Sequence, residues 1–99
     1  MSAEFSKRLR RLVLSTGMNL TEFSGWVNVP HHTLRGWASG RSEPRGLTDV
    51  RALRESEGLT WAQAIAAYGD RKGVRQLINI RRLTGCTWEE LLGNGDQEG

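Results

Sequence analysis

Between Gly17 and Pro44 two short helix signals stand almost end to end, and no other feature constrains the chain as much. Asn19 followed three residues later by Glu22 is a capping-box pair, which starts a helix by satisfying backbone donors at both positions. The apolar run it opens ends at Val27. Asn28 tolerates the left-handed conformation of a sharp turn, and Pro30 suits a first helical turn because its missing N–H has no partner there anyway. A second helix follows at once, His31-His32-Thr33-Leu34-Arg35-Gly36-Trp37-Ala38, closed by Ser39-Gly40. At about 100° per residue, Leu34 and Trp37 share one side of it with Thr33 beside them, the side for a core. His31, His32, Arg35 and Gly36 fall on the opposite arc.

A polar arc on the second of two abutting helices is the pattern of a helix-turn-helix, whose second helix enters the DNA major groove. Residues 29–44 resemble the centre of the phage-repressor (Cro and repressor, or Xre) helix-turn-helix family. Val29 leads into the second helix, Thr33 and Leu34 lie within it, Trp37 marks its buried end, and Gly40, Arg41 and Pro44 follow. Upstream, Gly17, Asn19, Glu22, Phe23, Ser24, Trp26 and Val27 stand where the family has glycine, a cap, glutamate, leucine, a small residue and two apolar residues. The likeness extends over residues 5–68. Three positions depart from it: Leu20 replaces a phosphate-holding Gln, Pro30 replaces a Ser or Thr cap, and Gly36 stands where a third base-reading side chain is common. Gly36 either lets backbone approach something closely or is a tolerated neutral residue.

Charge is distributed in keeping with a polyanionic partner. The net charge is +3, but residues 1–46 hold seven Lys/Arg against three Asp/Glu, whereas residues 47–99 hold seven against eight. A single cysteine, Cys86, excludes an internal disulfide and a cysteine zinc cluster. The adjacent His31 and His32 point about 100° apart on a helix and do not share a metal. No glycine-rich phosphate loop, catalytic triad or carboxylate pair is singled out, so the chain is expected not to be an enzyme and to use no cofactor or metal. No apolar run approaches bilayer length and the N-terminus lacks signal-peptide order, so a cytoplasmic protein of a bacterial host, with no membrane partner, is expected.

The remaining chain also reads as helices, giving an all-α class: a compact helical bundle with a lambda-repressor-like helix-turn-helix plus a C-terminal helical hairpin. Phe5, Leu9, Leu12 and Val13 stripe a first helix over residues 4–15, with Leu14 off the pattern. Leu20 to Val27 is the second, in which Trp26 is either core or rim. Residues 48–56 form a fourth, Thr60 with Gln63 caps a fifth, residues 70–83 form a sixth and residues 87–92 a last short one. Val50, Leu53, Arg54, Gly58, Thr60, Trp61 and Ile65 recur 27 positions later as Leu77, Ile80, Arg81, Gly85, Thr87, Trp88 and Leu92. The repeat is read either as duplication or, preferably, as what any helix, glycine stop and capped helix would look like. The expected organisation is a DNA-binding domain over 1–69, a C-terminal hairpin over 70–92 for dimerisation or partner binding, and a mobile tail over 93–99.

Taken with the resemblance, these features assign roles. His31, His32, Thr33 and Arg35 are the expected base readers, Arg35 to guanine first among them. Lys7, Arg8, Arg41 and Arg45 are the expected phosphate contacts. Trp61, Ile65, Leu77, Trp88 and Leu91 are expected to build a homodimer that sets two recognition helices on a pseudo-palindromic operator. The implied function is sequence-specific binding of double-stranded DNA as a phage or mobile-element repressor. The alternatives are an antitoxin that also binds a toxin protein through its C-terminal hairpin, and a protein-interaction adaptor.

Overall fold

The computed structural model describes residues 3–93, which form seven helices and no strand: α1 (Ala3–Thr16), α2 (Leu20–Val27), α3 (His31–Ser39), α4 (Leu47–Glu57), α5 (Trp61–Ala67), α6 (Lys72–Thr84) and α7 (Trp88–Leu92). All but the first residue of the expected mobile tail lies outside the described residues. No described helix is long and apolar enough to cross a membrane.

Three of the connections are one device used three times. After α1, α4 and α6 a glycine takes the left-handed conformation, at Gly17, Gly58 and Gly85. Two residues on, a capping box opens the next helix: Asn19 with Glu22, Thr60 with Gln63, Thr87 with Glu90. Each box is reciprocal. At the last, the Glu90 amide donates to Thr87 Oγ1 at 3.0 Å and the Thr87 amide to Glu90 Oε1 at 2.7 Å. Two helix-start donors are thereby satisfied within a few residues of a sharp stop, so the chain turns a corner without exposing an unpaired end.

The 27-residue recurrence carries over to side chains, since Arg54 lies over the Trp61 ring at 4.6 Å and Arg81 over the Trp88 ring at 5.4 Å. Packing does not repeat, however. α4 and α5 face each other, whereas α6 packs chiefly on α2 and α7 on α1 and α5. With the same corner also present between α1 and α2, the recurrence is a local turn solution rather than a repeated packing unit.

A single core joins the two ends of the chain. Phe5, Leu9, Phe23, Leu34 and Trp37 share it with Leu47, Val50, Leu77, Ile80 and Leu91, so residues on both sides of position 69 are buried together. Polar contacts tie the last two helices to α5 and α2. The Trp61 indole N–H donates to the Gly93 carbonyl at 2.6 Å, and Asn79 Nδ2 donates to the Val27 carbonyl at 2.7 Å.

That core corrects the expected dimer surface. Trp61, Ile65, Leu77 and Leu91 are at most 3% exposed, and only Trp88 keeps part of its surface. An apolar face on a helix signals that something covers it, not whether the cover is another helix of the same chain or a second molecule. Here the chain covers its own. The large apolar side chains left exposed are Leu14, Trp26 and Leu83. Trp26 is thus rim, its ring edge-on to Phe23 at 5.9 Å, and Leu14, off the stripe, is 79% exposed.

Candidate nucleic-acid interface

The position of α3 follows from its two sides. Leu34 is fully buried and Trp37 is 2% exposed, its ring edge-to-face with Phe5 at 6.1 Å between centroids. On the far side His32 and Arg35 are exposed. At the helix start Asn28 is left-handed, and its amide donates back to the Ser24 carbonyl, which turns the chain within three residues. The α1 helix holds the other end, with Arg10 donating to the Ala38 carbonyl and Ser6 beside Gly40.

Of the expected base readers, His32 and Arg35 are presented to solvent, and Thr33 is half-buried in the wall of a groove beside α3. His31 is turned aside. It is half-buried, and its Nε2 lies 3.2 Å from Thr21 Oγ1 on α2. Gly36, on the outward arc of the wheel, is not open to solvent; it is buried. The amides of Arg41 and Ser42 both donate to the Gly36 carbonyl, at 3.0 and 3.2 Å, so the loop folds back over the end of α3. A Cβ at Gly36 would sit 2.6 Å from Ser42 Oγ. The close approach this glycine permits is therefore by its own chain.

The phosphate candidates divide likewise. Arg41 and Arg45 are exposed on the loop after α3 and both line the groove. Lys7 is exposed on α1, one residue after Ser6, which lies beside Gly40 at the C-terminal end of α3. Arg8 is withdrawn from the set. It pairs with Glu4 at 2.5 Å and donates to the Glu89 and Glu90 carbonyls at 3.1 and 3.4 Å, so its guanidinium clasps α7 to α1.

Sorting the chain's fourteen cationic side chains by what they touch isolates this face. Arg8, Arg51 and Arg71 are in ion pairs, Arg10, Arg75 and Arg82 donate hydrogen bonds, and Arg54 and Arg81 cover tryptophans. Lys7, Arg11, Arg35, Arg41, Arg45 and Lys72 have no such partner among the described residues. Four of these six belong to α3, the loop after it, or the groove between them and α6. That groove has a volume of about 560 Å³. The acid in its wall, Glu43, is already paired to Arg51 at 3.0 Å through Oε1, while its Oε2 is buried without a hydrogen-bond partner.

The chain matches no family model, no curated protein and no solved structure. What the face can do therefore rests on its chemistry. The exposed side of α3 offers an imidazole and a guanidinium, flanked by free guanidinium and ammonium groups, which is a donor-rich surface suited to a polyanion with readable edges. Among the described residues no three His, Cys, Asp or Glu side chains gather in a way that would hold a metal. Lys72 and Gln76 also line the groove, although the sequence pattern does not single them out. The available signal was a helix opening on Arg71-Lys72 with no acid in its first turn, against the helix dipole.

Proposed function

We propose that the chain is a sequence-specific double-stranded DNA-binding protein, a transcription regulator of the repressor kind, that inserts α3 into the major groove. The observation that carries this reading is a set of unpartnered cations at α3, with Arg35 exposed on the helix and Arg41, Arg45 and Lys72 lining the groove beside it. Of the other ten cations eight are engaged within the fold, and the remaining two, Lys7 and Arg11, lie on α1. Leaving several uncompensated in one place costs stability through mutual repulsion and is offset when phosphates arrive. The resemblance of residues 17–44 to the phage-repressor family supports the same reading. A single α3 touches only a few base pairs, so two copies on a pseudo-palindromic site are part of the proposal. Their contact would use surface other than Trp61, Ile65, Leu77 and Leu91, which are core.

The division of labour makes a test. Duplexes retained by the protein from a random pool define its preferred site, and affinity is then compared on that site and on scrambled sequence. Arg35→Ala should lose about 1–3 kcal/mol on the preferred site and little on the scrambled one. Arg41→Ala should weaken both alike and reduce the salt slope by about one. If both substitutions weaken both duplexes equally, α3 is not the reader.

A further inference from the structure

We infer that α6 is a second DNA-contacting element, with Lys72 holding a backbone phosphate across the groove from α3; this rests on the DNA-binding reading above. Three observations converge on that residue. First, its placement is rigid. Gly73 packs directly on the backbone of Pro44 and Arg45, where any Cβ would collide with the Arg45 amide nitrogen and carbonyl oxygen, and Asn79 fastens the same helix to the end of α2. Lys72 is thereby fixed beside the loop that carries Arg41 and Arg45.

Second, Lys72 and Gln76 line both depressions that flank the start of α3. One holds His32, Thr33, Arg41 and Arg45, and the other Pro30 and His31. A polyanion seated on the outward side of α3 has Lys72 beside it.

Third, the charge is placed against the local rule. α1, α2, α4 and α7 carry an acid in their first turn and α5 has a capping box, whereas α3 and α6 have neither an acid nor a side-chain cap. α6 instead begins with Arg71, Lys72 and, a turn on, Arg75, where the helix dipole repels cations. Two of the three are relieved nearby, Arg71 by Asp49 at 2.9 Å and Arg75 by the Asp70 carbonyl at 2.7 Å. Lys72 is exposed and without a partner among the described residues. A residue that violates a local preference with no compensation in the fold is where an external partner is expected.

The experiment is fluorescence anisotropy of a labelled random-sequence duplex titrated with the full chain between about 50 and 200 mM KCl, the range over which counterion release is steep. The proteins are wild type, Lys72→Ala, Lys72→Arg and Arg41→Ala. Lys72→Ala should bind about five-fold more weakly at the low-salt end, with a log–log salt slope shallower by about 0.9, the value of one lost phosphate contact. Lys72→Arg should restore both. The thermal midpoint of Lys72→Ala should equal or exceed that of wild type, because a cation leaves a helix start, and a merely structural lysine would move it down. A Lys72→Ala slope equal to that of wild type, while Arg41→Ala is shallower, overturns the role of α6 and leaves DNA binding standing. Loss without rescue by arginine overturns it too. Wild-type protein that shows no salt-dependent binding overturns the DNA reading and this inference with it.

Discussion

Replacing Trp37 by alanine should cost about 3–5 kcal/mol, the largest single loss expected from any side chain of α3. The indole is 2% exposed and wedged between α3 and α1, edge-on to Phe5. Its removal leaves a cavity that the packed backbones of α1 and α3 can only partly close. For a domain of this length total stability is of order 5–15 kcal/mol, so the variant should be marginal and its urea midpoint sharply lower. Trp26 makes the contrast. It is 39% exposed on α2, and Trp26→Ala should cost about 1–2 kcal/mol. Equal losses for the two tryptophans would mean that α3 is not seated by its indole, and the outward placement of Arg35 would fall with it.

Gly73→Ala should cost about 3 kcal/mol, the upper end for overpacking, although alanine is the better helix former by about 1 kcal/mol. The sign turns on what the new methyl meets. At Gly73 it meets the backbone of Pro44 and Arg45, which cannot rotate away. At Gly36 it meets the hydroxyl of Ser42, the end of a side chain that can turn, so Gly36→Ala should be far milder. Urea unfolding of the two variants checks the difference. A Gly73→Ala protein as stable as wild type would mean that α6 does not rest on the loop after α3, and the shared groove would lose its far wall.

The helices and the orientation of α3 could be read from residues because they are local. Leu34 and Trp37 three apart, and Asn19, Thr60 and Thr87 each followed three residues on by Glu or Gln, act through contacts within a turn or two of the chain. The errors come from contacts between distant segments. Arg8 reads as a phosphate contact, yet its guanidinium reaches carbonyls 81 and 82 residues away. Trp61, Ile65, Leu77 and Leu91 read as a dimer surface, yet all four are buried in the core that the chain's own helices share. Gly36 falls on the outward arc of the wheel, but the wheel does not include the loop that returns over it. Lys72 went unremarked because its neighbours in space, Arg41 and Arg45, come together with it only through the contact of Gly73 with that loop.

The outward side of α3, with the loop after it and the start of α6, is the surface proposed to meet DNA. Amide chemical-shift mapping of the full chain, titrated with a short duplex at low salt, tests it most directly. The amides of His32, Arg35, Arg41, Arg45 and Lys72 should shift together with increasing duplex, while those of Leu14, Ala62 and Ala66 stay in place. Shifts concentrated on α5 and the C-terminal end of α1, with α3 unmoved, would contradict it.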